Sequence, residues 1–317
     1  MNGPLTIGIL DYSDITRASG GLSPTTIKEI QSIRDAIKSR GHKPILYKAP
    51  KCQMYFHGRT SEILYNHKKI RGCDVLIPRV AVTANLDLEV SLVKQFQMMG
   101  IPIINRYLPI QRAKNKLRTL QILTQKKLAV PQTIVVRKFE YIDESIKKVG
   151  GYPVIVKSPF GSYGAGVVIV ESRRSLYSAL DVILMGMESN IILIQEYVAE
   201  ADGSDYRAFV IGDRVVASMK RQAKKGEFRS NLHLGGEASA ITLTEEEQKL
   251  AVRASQALGL QIAGVDLLRS KNGPIVMEVN SNPGFFGLSR ITGIDVAGEV
   301  IDFAVRFARE KKAKLKK

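Results

Sequence analysis

Residues 265–284 read VDLLRSKNGPIVMEVNSNPG, and the interpretation of the whole chain starts from this stretch. Glu278 and Asn280 lie two residues apart in the apolar run IVMEVN, so on a strand their side chains point to the same face. A carboxylate and an amide inside an apolar strand are costly to bury without a partner. Asp266 lies on the preceding apolar run. The stretch therefore predicts a β-hairpin whose polar side chains serve a function.

Whether Asp266 shares that face depends on the parity of the hairpin loop. An odd number of loop residues, for example Lys271-Asn272-Gly273, pairs Asp266 with Glu278 or Asn280, whereas a two-residue Asn-Gly turn places it on the opposite side. With the odd loop, two carboxylates and an amide converge and suit Mg²⁺, with water and phosphate oxygens completing the shell. A glutamate between two ions could bridge them. The alternative is a polar outer face of a hairpin.

A second segment, PVIVKSPFGSYGAGV at residues 153–167, combines a buried strand, a lysine and glycines. Glycine permits positive φ and close approach of the backbone, so amides near Gly164 and Gly166 can point at an anion. Lys157 adds a positive charge for phosphate. The lysine precedes the glycines, unlike the Walker pattern, and the following VVIVE run is strand-like, unlike a dinucleotide fingerprint. The alternative is a flexible hairpin loop with a surface lysine.

A third segment, RQAKKGEFRSNLHLGGE at residues 221–237, is a basic loop flanked by glycines. Arginine and asparagine side chains together could bind phosphate and orient a metal-bound oxygen. The alternative is a solvated basic loop. A fourth segment, IILIQEYV, reads as a strand that leaves backbone groups free at its end, with Asp205 a few residues later, and taken alone it is not specific.

Composition and charge limit the classes of function. The chain has 317 residues with 47 Lys and Arg against 30 Asp and Glu, a net charge of +17. Residues 1–127 hold 21 basic against 8 acidic residues, so we expect an acidic partner to meet the amino-terminal part. No stacked-aromatic motif accompanies this charge, which makes direct nucleic-acid binding an unfavoured alternative. Two cysteines, Cys52 and Cys73, exclude a disulfide scaffold and a Cys₄ zinc site. We expect a cytoplasmic protein without signal peptide or membrane span.

Apolar runs and helical patterns divide the chain into three predicted units. Over residues 1–110, short apolar runs, the last of them IPIIN, alternate with amphipathic helices such as 25–39, which indicates a parallel sheet covered by helices. The basic helix KNKLRTLQILTQKKL connects this part to more closely spaced strands. We therefore predict an α/β or α+β fold with domains at 1–110, 111–200 and 201–317.

Taken together and in this order, the motifs resemble those of ATP-grasp ligases. More narrowly the chain resembles the RimK family of glutamate ligases, which modify the carboxyl terminus of a small-subunit ribosomal protein. The resemblance is carried by DVLIPRV, KNKLRT, VIVKSPFGSYGAGV, LIQEYV, KKGEFRSNLHLGGEAS and AGVDLLRSKNGPIVMEVNSNPGF. FRSNLHLGG is the most specific of them. The resemblance implies an ATP-grasp fold with an amino-terminal pre-ATP-grasp α/β domain and two subdomains that hold ATP between them.

The same resemblance implies a set of nucleotide-binding residues. They are Lys116, Lys157, Gly164, Gly166, Glu196, Tyr197, Asp205, Arg229, Ser230 and Asn231. Lys157 would contact the phosphates with help from Lys116, and the backbone of Glu196-Tyr197 would face adenine. Asp205 would meet the ribose, and Arg229-Ser230-Asn231 would approach the phosphates.

The resemblance also implies a reaction and its cofactors. ATP and two Mg²⁺ or Mn²⁺ ions, the latter held by Asp266, Glu278 and Asn280, would serve the addition of L-glutamate to the carboxyl terminus of a protein acceptor through an acyl phosphate. Lys157 and Arg229 would be catalytic, because both place positive charge near the transferring group. No histidine base accompanies the motifs, and the general base stays open.

The acceptor and the quaternary structure are less constrained by the motifs. Arg79 and Arg221 are predicted to bind substrate carboxylates. The basic amino-terminal part would attract the acidic, ribosomal acceptor. We expect a homo-oligomer, either a dimer or a tetramer. Two alternatives stay open: the same chemistry on a small-molecule or free polyglutamate acceptor, and a non-catalytic ATP-binding module.

Overall fold

The computed structural model describes residues 3–13, 24–80, 86–159, 166–185, 191–224, 226–230 and 235–314, and it confirms the mixed α/β class. The strands are β1 (Thr6–Asp11), β2 (Lys43–Lys48), β3 (Cys52–His57), β4 (Thr60–Tyr65), β5 (Lys68–Lys69), β6 (Val75–Arg79), β7 (Thr133–Val136), β8 (Val154–Lys157), β9 (Val167–Val170), β10 (Ile192–Glu196), β11 (Ser204–Ile211), β12 (Arg214–Gln222), β13 (Glu237–Ala240), β14 (Ile262–Ser270) and β15 (Gly273–Asn280). The helices are α1 (Pro24–Ser39), α2 (Leu86–Met98), α3 (Tyr107–Lys114), α4 (Lys116–Gln125), α5 (Ile142–Lys148), α6 (Arg173–Met185), α7 (Glu245–Leu258), α8 (Phe286–Thr292) and α9 (Val296–Lys314). Short 3₁₀ turns lie at Ala49–Lys51, Phe139–Tyr141 and Ala199–Ala201.

The first unit contains the expected parallel sheet, with the strand order β2-β1-β6. The IPIIN run, predicted to be a strand, forms only the single bridge between Leu76 and Ile103. Pro102 lacks an N–H, so this run cannot donate a full ladder of hydrogen bonds. The antiparallel sheet β3-β4-β5 was not predicted, because its first strand is exposed along most of its length and shows no alternating apolar pattern.

The second unit is a four-stranded antiparallel sheet with the order β7-β10-β8-β9. Helices α5 and α6 pack against it and share with it a hydrophobic core of their own. Val154, Val156 and Ile194 are completely buried in this core. Because β9 follows the glycine loop as a strand, the structure agrees with the exclusion of a dinucleotide fingerprint at this loop.

The third unit is a five-stranded antiparallel sheet with the order β13-β12-β11-β14-β15. Side chains of β11 alternate between its two faces: Ala208 and Val210 pack in a core with α7, whereas Phe209 and Ile211 pack in a core with α9. Gly212-Asp213 connects β11 to β12, as the GDR motif predicts. The sheet is therefore covered on both faces.

The core on the α9 side extends into the first unit. It contains Ile7 and Ile9 of β1, Ile33 of α1 and Ile301 of α9, so the first and third units share one hydrophobic core. Leu123 of α4 packs in the other core of the third unit, although the helix lies within the segment 111–200 that we predict as the central domain. Among the described residues, the β7–β10 region has a core that includes no residue of the other two units, and a further core around Phe96 lies within the first unit. No helix in the described part of the chain combines the length and the apolar character that a membrane crossing requires.

Candidate functional site: the β14–β15 hairpin and its lysines

The hairpin of β14 and β15 brings Asp266 and Glu278 directly opposite each other, and Gly264 opposite Asn280. Its loop has two residues, because Ser270 pairs with Gly273, and on parity alone Asp266 would face away. The pairing then shifts between Asp266 and Leu267, because Leu267 pairs with Val276 while Asp266 pairs with Glu278. Met277 is the extra residue of a β-bulge. The bulge restores the parity that the short loop removes.

As a result, the three predicted metal ligands share one face of the hairpin. The Asn280 Nδ2 donates to Asp266 Oδ2 at 3.4 Å. The described residues contain no cluster of three or more His, Cys, Asp and Glu side chains that could hold a metal by themselves. A metal at this hairpin would therefore need the amide oxygen of Asn280 and oxygens from outside the protein, as in sites that bind Mg²⁺ together with phosphate.

Asp266 is only 1% exposed, and two arginines compensate its charge. Arg207, its pairing partner on β11, donates from Nε to Oδ1 and from Nη2 to Oδ2, both at 2.7 Å. Arg221 Nη2 lies 3.0 Å from Oδ2. Burial raises the pKa of this carboxyl, but the two guanidinium groups outweigh burial and hold the pKa below its usual range. Asp266 is therefore ionised and firmly oriented at neutral pH.

Arg221 joins Asp266 to a second buried acid, Asp205. The Arg221 guanidinium donates from Nε and Nη2 to the two oxygens of Asp205, each at 2.6 Å, and Ser230 Oγ also donates to Asp205. Burial lowers the pKa of Arg221, but the carboxylates of Asp266 and Asp205 raise it by more than burial lowers it. The pKa of Arg221 is therefore above its usual range. The structure thus places Arg221 inside an internal ion-pair network. Contacts of Arg221 with a substrate carboxylate and of Asp205 with ribose stay predictions.

Three lysines from two other parts of the molecule interact electrostatically with Glu278. Lys157, at the end of β8, donates from Nζ to Gln195 Oε1 at 2.8 Å. Burial lowers the pKa of Lys157 to about 8; Glu278 opposes this shift and Lys116 adds to it. Burial likewise lowers the pKa of Lys114 to about 8 and also lowers that of Lys116, and Glu278 opposes both shifts.

These relations bring the end of β8 and the start of α4 near the β14–β15 hairpin, and we call the region where they meet the cleft. The Lys116 backbone N–H donates to the carbonyl oxygen of Pro159 at 3.0 Å, which ties the start of α4 to the strand before the glycine loop. Among the described residues, no hydrogen bond or ion pair of Glu278 falls within the usual distance limits. Both oxygens of Asp266, by contrast, accept hydrogen bonds from arginine. A carboxylate that lacks a close partner and faces several cations matches the donor set of a magnesium–nucleotide site. The residues present therefore fit Mg²⁺ and ATP.

The predicted adenine and glycine-loop segments follow the ends of two strands of the second unit, β10 and β8. The Glu196 N–H donates to the Gln132 carbonyl at 2.9 Å, and Glu196 Oε1 accepts from the Gln132 N–H at 2.9 Å, so β10 is clamped at its end beside Tyr197. Gly166 has φ +69°, and its carbonyl accepts from the Ser158 N–H at 3.2 Å, which closes the base of the loop. Gly164 and Asn231, both predicted nucleotide ligands, lie outside the described residues.

Arg229 lies in the basic loop, where a neighbouring acid holds it. Glu227 Oε2 accepts from Arg229 Nη2 at 2.8 Å, and this hydrogen bond is the main cause that lowers the pKa of Glu227 to about 2. The loop returns to the sheet through Gly236, where a Cβ would lie 2.9 Å from the carbonyl oxygens of Gln222 and Ser230. Only glycine permits this close approach of backbones. Whether Arg229 reaches phosphate stays a prediction.

Arg79, the other residue predicted to bind substrate, also pairs with groups of the protein itself. Its Nη2 lies 2.6 Å from Glu29 Oε2, and both Nη1 and Nη2 donate to the Pro283 carbonyl at 3.3 Å. Its guanidinium lies over the Phe285 ring at 5.5 Å. Arg79 therefore joins the first unit to the turn that follows β15, and its contact with substrate stays a prediction.

Sequence reasoning missed four residues that shape this site: Lys114, Gln195, Arg207 and Glu29. For Arg207 a signal exists, because it is the one charged side chain in the apolar run YRAFVI and shares a strand with Asp205. Lys114 stands two residues before Lys116 in KNK and would have been found by treating that motif as a pair. The roles of Gln195 and Glu29 depend on contacts between distant segments, which a single sequence does not reveal.

Comparisons with known families decide the identity of the fold. Residues 113–304 match the RimK-like ATP-grasp domain, and residues 23–110 match the RimK PreATP-grasp domain. The chain belongs to the RimK-like ATP-grasp family. The resemblance seen in the motifs is thereby confirmed, and as a member of this ATP-using family the chain is an ATP-dependent ligase that forms carbon–nitrogen bonds.

Relatives and solved structures agree with this assignment. A protein of Pseudoalteromonas translucida named "Probable alpha-L-glutamate ligase" is 44% identical over 287 residues, which cover 90% of this chain and 94% of the relative. The RimK domain ATP-grasp protein of Sphaerobacter thermophilus superposes with a TM-score of 0.70 at 23% identity, covering 94% and 99% of the two chains. The ATP-grasp ligase PsnB, solved with a minimal precursor, Mg and ADP, gives a TM-score of 0.70 at 18% identity, covering 96% and 98%. The two solved structures bear on the fold alone.

Proposed function

We propose that this protein uses ATP to add L-glutamate, through a peptide bond, to the carboxyl terminus of a protein acceptor. The observation that carries the proposal is the cleft in which Glu278, paired in register with Asp266, faces Lys114, Lys116 and Lys157. Such a cleft suits a magnesium-bound triphosphate. The name of the relative from Pseudoalteromonas translucida supports glutamate as the amino acid.

The chemistry of the proposed reaction explains why ATP is required. A carboxylate is a poor electrophile, because its leaving group would be oxide. Transfer of the γ-phosphoryl group to the carboxylate gives an acyl phosphate and ADP, and the amine of glutamate then attacks the acyl carbon while phosphate leaves. Lys157 and Lys116 hold positive charge where the phosphoryl group develops negative charge. Arg229, once released from Glu227, would add to this stabilisation.

Asp266, Glu278 and Asn280 would hold two Mg²⁺ or Mn²⁺ ions. When bound, the metal supplies charge neutralisation for the phosphates. The residues of this chain contribute orientation: Arg207 and Arg221 keep Asp266 ionised and fixed, and Asn280 donates its amide hydrogen to the same carboxylate. Lys157 is held at its place by Gln195, which itself donates to Thr133 Oγ1 at 2.7 Å. The cleft is therefore pre-organised by side chains that have no role in phosphoryl transfer themselves.

The charge distribution favours an acidic peptide as the acceptor, and the resemblance to RimK ligases implies a ribosomal protein. The first 127 residues carry most of the excess positive charge, and they include the parallel sheet whose carboxyl edge lies beside Pro283. Opposite charges raise the rate of encounter and make it depend on salt. We also propose that the protein acts in the cytoplasm as a homo-oligomer.

Intact-mass spectrometry tests the function directly. The purified protein is incubated with ATP, Mg²⁺, L-glutamate and peptides that end in glutamate, and ADP formation is followed in parallel. We expect acceptor masses to rise by whole glutamyl units, with one ADP per unit. Glutamate polymers without any peptide would favour a free polyglutamate product, and nucleotide binding without ADP formation would favour a binding module. The Lys157→Met variant controls for contaminating ligases and should give no product.

A further inference from the structure

Glu29 of α1 is a buried acid at the boundary between the first and third units. It is 4% exposed, and its Oε2 lies 2.6 Å from Arg79 Nη2. Its other oxygen, Oε1, accepts from the backbone N–H of Phe285 at 2.7 Å and of Phe286 at 3.2 Å. Both oxygens of one carboxylate are thus committed to two segments that are far apart in sequence. Hydrogen bonds that involve an ionised group are stronger and better defined in geometry than neutral ones.

The two amide contacts matter because α8 begins at Phe286. The first N–H groups of a helix have no partner within the helix. No side chain of the segment around Phe285 caps this helix. Glu29 supplies the missing acceptor from a different unit of the protein. The fit is close at Gly284 as well, where a Cβ would lie 3.1 Å from Glu29 Oε1.

The contact with Arg79 fixes the other side of the same turn. Arg79 donates to the Pro283 carbonyl from both terminal nitrogens, and its guanidinium lies over the ring of Phe285. Pro283 and Phe285 follow the last residue of β15, Asn280, by only a few positions. Glu29 therefore holds, directly and through Arg79, the turn into which the predicted ligand strand runs.

We propose that Glu29 is a positioning residue for the ligase reaction. From the first unit it fixes the turn Ser281–Phe286, and through that turn the orientation of Asn280 and Glu278 in the nucleotide cleft. This inference rests on the proposed function for its kinetic consequences, but the binding of magnesium–nucleotide follows from the geometry of the cleft alone. The first unit, besides meeting the acceptor, thereby sets the shape of the metal-binding hairpin.

The test compares Glu29→Gln with a control variant at the same boundary. Glutamine has the same shape and can still accept from the two amides, but it removes the charge that holds Arg79. The control is Asp302→Asn, because Asp302 of α9 pairs with Arg40 at 2.7 Å and also joins the first and third units, away from the turn. For both variants we measure the melting temperature, the affinity for ADP in the presence of Mg²⁺ by calorimetry, and kcat and KM.

We expect the melting temperatures of both variants to be lowered by similar amounts. Only Glu29→Gln should weaken Mg²⁺-dependent ADP binding and lower kcat, and each of these two effects should be about fivefold or more. A smaller loss in Glu29→Gln, or an equal loss in Asp302→Asn, would overturn the proposal. If Glu29→Gln does not fold, Gly284→Ala replaces it in the test. This variant keeps the carboxylate but pushes the turn away from it, and it should also weaken ADP binding by about fivefold or more.

The two proposals fail in different ways. If the wild-type protein binds Mg²⁺ and ADP but forms no glutamyl product, the proposed function is wrong, and the comparison of ADP affinities still tests Glu29. If product forms and Glu29→Gln binds ADP as the wild type does, the function stands and the positioning role of Glu29 is wrong.

Discussion

At the scale of single residues, we expect Lys157 to determine how nucleotide binding responds to pH. Burial lowers its pKa to about 8, so the ammonium is mostly charged at neutral pH and loses its proton as the pH rises through that value. A bound phosphate favours the charged form. We therefore expect the affinity for ADP to be constant below about pH 7.5 and to fall above pH 8, by at most about tenfold per pH unit for each lysine involved.

Calorimetric titrations of ADP between pH 6.5 and 9.5 check this expectation. Lys157→Arg is the matched variant, because arginine stays charged over the whole range. The fall should be shallower in this variant, with the remaining slope due to Lys114, whose pKa is also lowered to about 8 by burial. Equal slopes in both proteins would show that Lys157 does not contact the phosphates.

At the scale of secondary-structure elements, the start of α7 offers a clear stability test. Thr244 Oγ1 accepts from the Glu247 N–H at 3.2 Å, and Glu247 Oε2 accepts from the Thr244 N–H at 2.8 Å, which together form a capping box. Thr244→Ala should lower the free energy of unfolding by about 0.5–2 kcal/mol and leave kcat unchanged. Thr124→Ala, at an exposed position in the last turn of α4, is the control and should stay within about 0.5 kcal/mol.

The pH dependence of that stabilisation follows from Glu247. Burial raises its pKa, but hydrogen bonds from Arg269 and from Thr244 outweigh burial, so the folded-state pKa is below the usual range. A carboxyl with a lowered pKa stabilises the fold above its unfolded pKa of about 4.3, and the contribution is lost as the pH falls through the folded value. Glu247→Gln should therefore lower the free energy of unfolding more at pH 7 than at about pH 3, as measured by denaturation in urea. An effect that is equal at both pH values would contradict this role of Glu247.

The β14–β15 hairpin shows how far sequence reasoning reaches at this scale. The apolar pattern predicts both strands and the shared face of Glu278 and Asn280, because that depends only on the period of two. The loop length does not follow from the pattern, which leaves both an odd loop and a two-residue turn open, and the structure has two loop residues. Asp266 nevertheless lies opposite Glu278, since the bulge at Met277 compensates for the shorter loop. The bulge lets Val276 and Val279, three residues apart, pack in the same core, and such packing between distant segments does not show in the local pattern.

At the scale of the whole molecule, the hydrophobic cores show which units pack together. The first and third units share one core, and Glu29, Arg79 and Asn105 cross their boundary with buried hydrogen bonds. The β7–β10 region has its own core and reaches the rest of the molecule chiefly through its ends. Sequence periodicity locates many elements of the three units but not the β3-β4-β5 sheet, and the sharing of a core between segments 200 residues apart cannot be derived from local patterns.

The outer edge of the β3-β4-β5 sheet determines our expectation for the quaternary structure. β3 pairs only with β4, and it exposes Met54, Tyr55 and Phe56, the last by 67%. An edge strand of this kind normally carries charges, proline or a bulge that prevent pairing with another chain, and Cys52–His57 contains no such feature. Two copies of a chain with net charge +17 repel each other over most of their surface. An uncharged edge is therefore the favoured place for contact between copies.

Phe56→Lys tests this contact, because a cation on each of two paired edges would repel the other. We expect the wild-type protein to elute as an oligomer at micromolar concentration, and Phe56→Lys to elute as a single chain, as measured by light scattering coupled to gel filtration. Leu88→Lys is the control, since Leu88 of α2 is 68% exposed but lies on a helix away from the edge, and it should leave the oligomer intact. A wild-type monomer, or an oligomer that survives Phe56→Lys, would show that this edge does not join two copies. Because β3 lies in the first unit, away from the hairpin with Asp266 and Glu278, ADP binding should be equal in all three proteins.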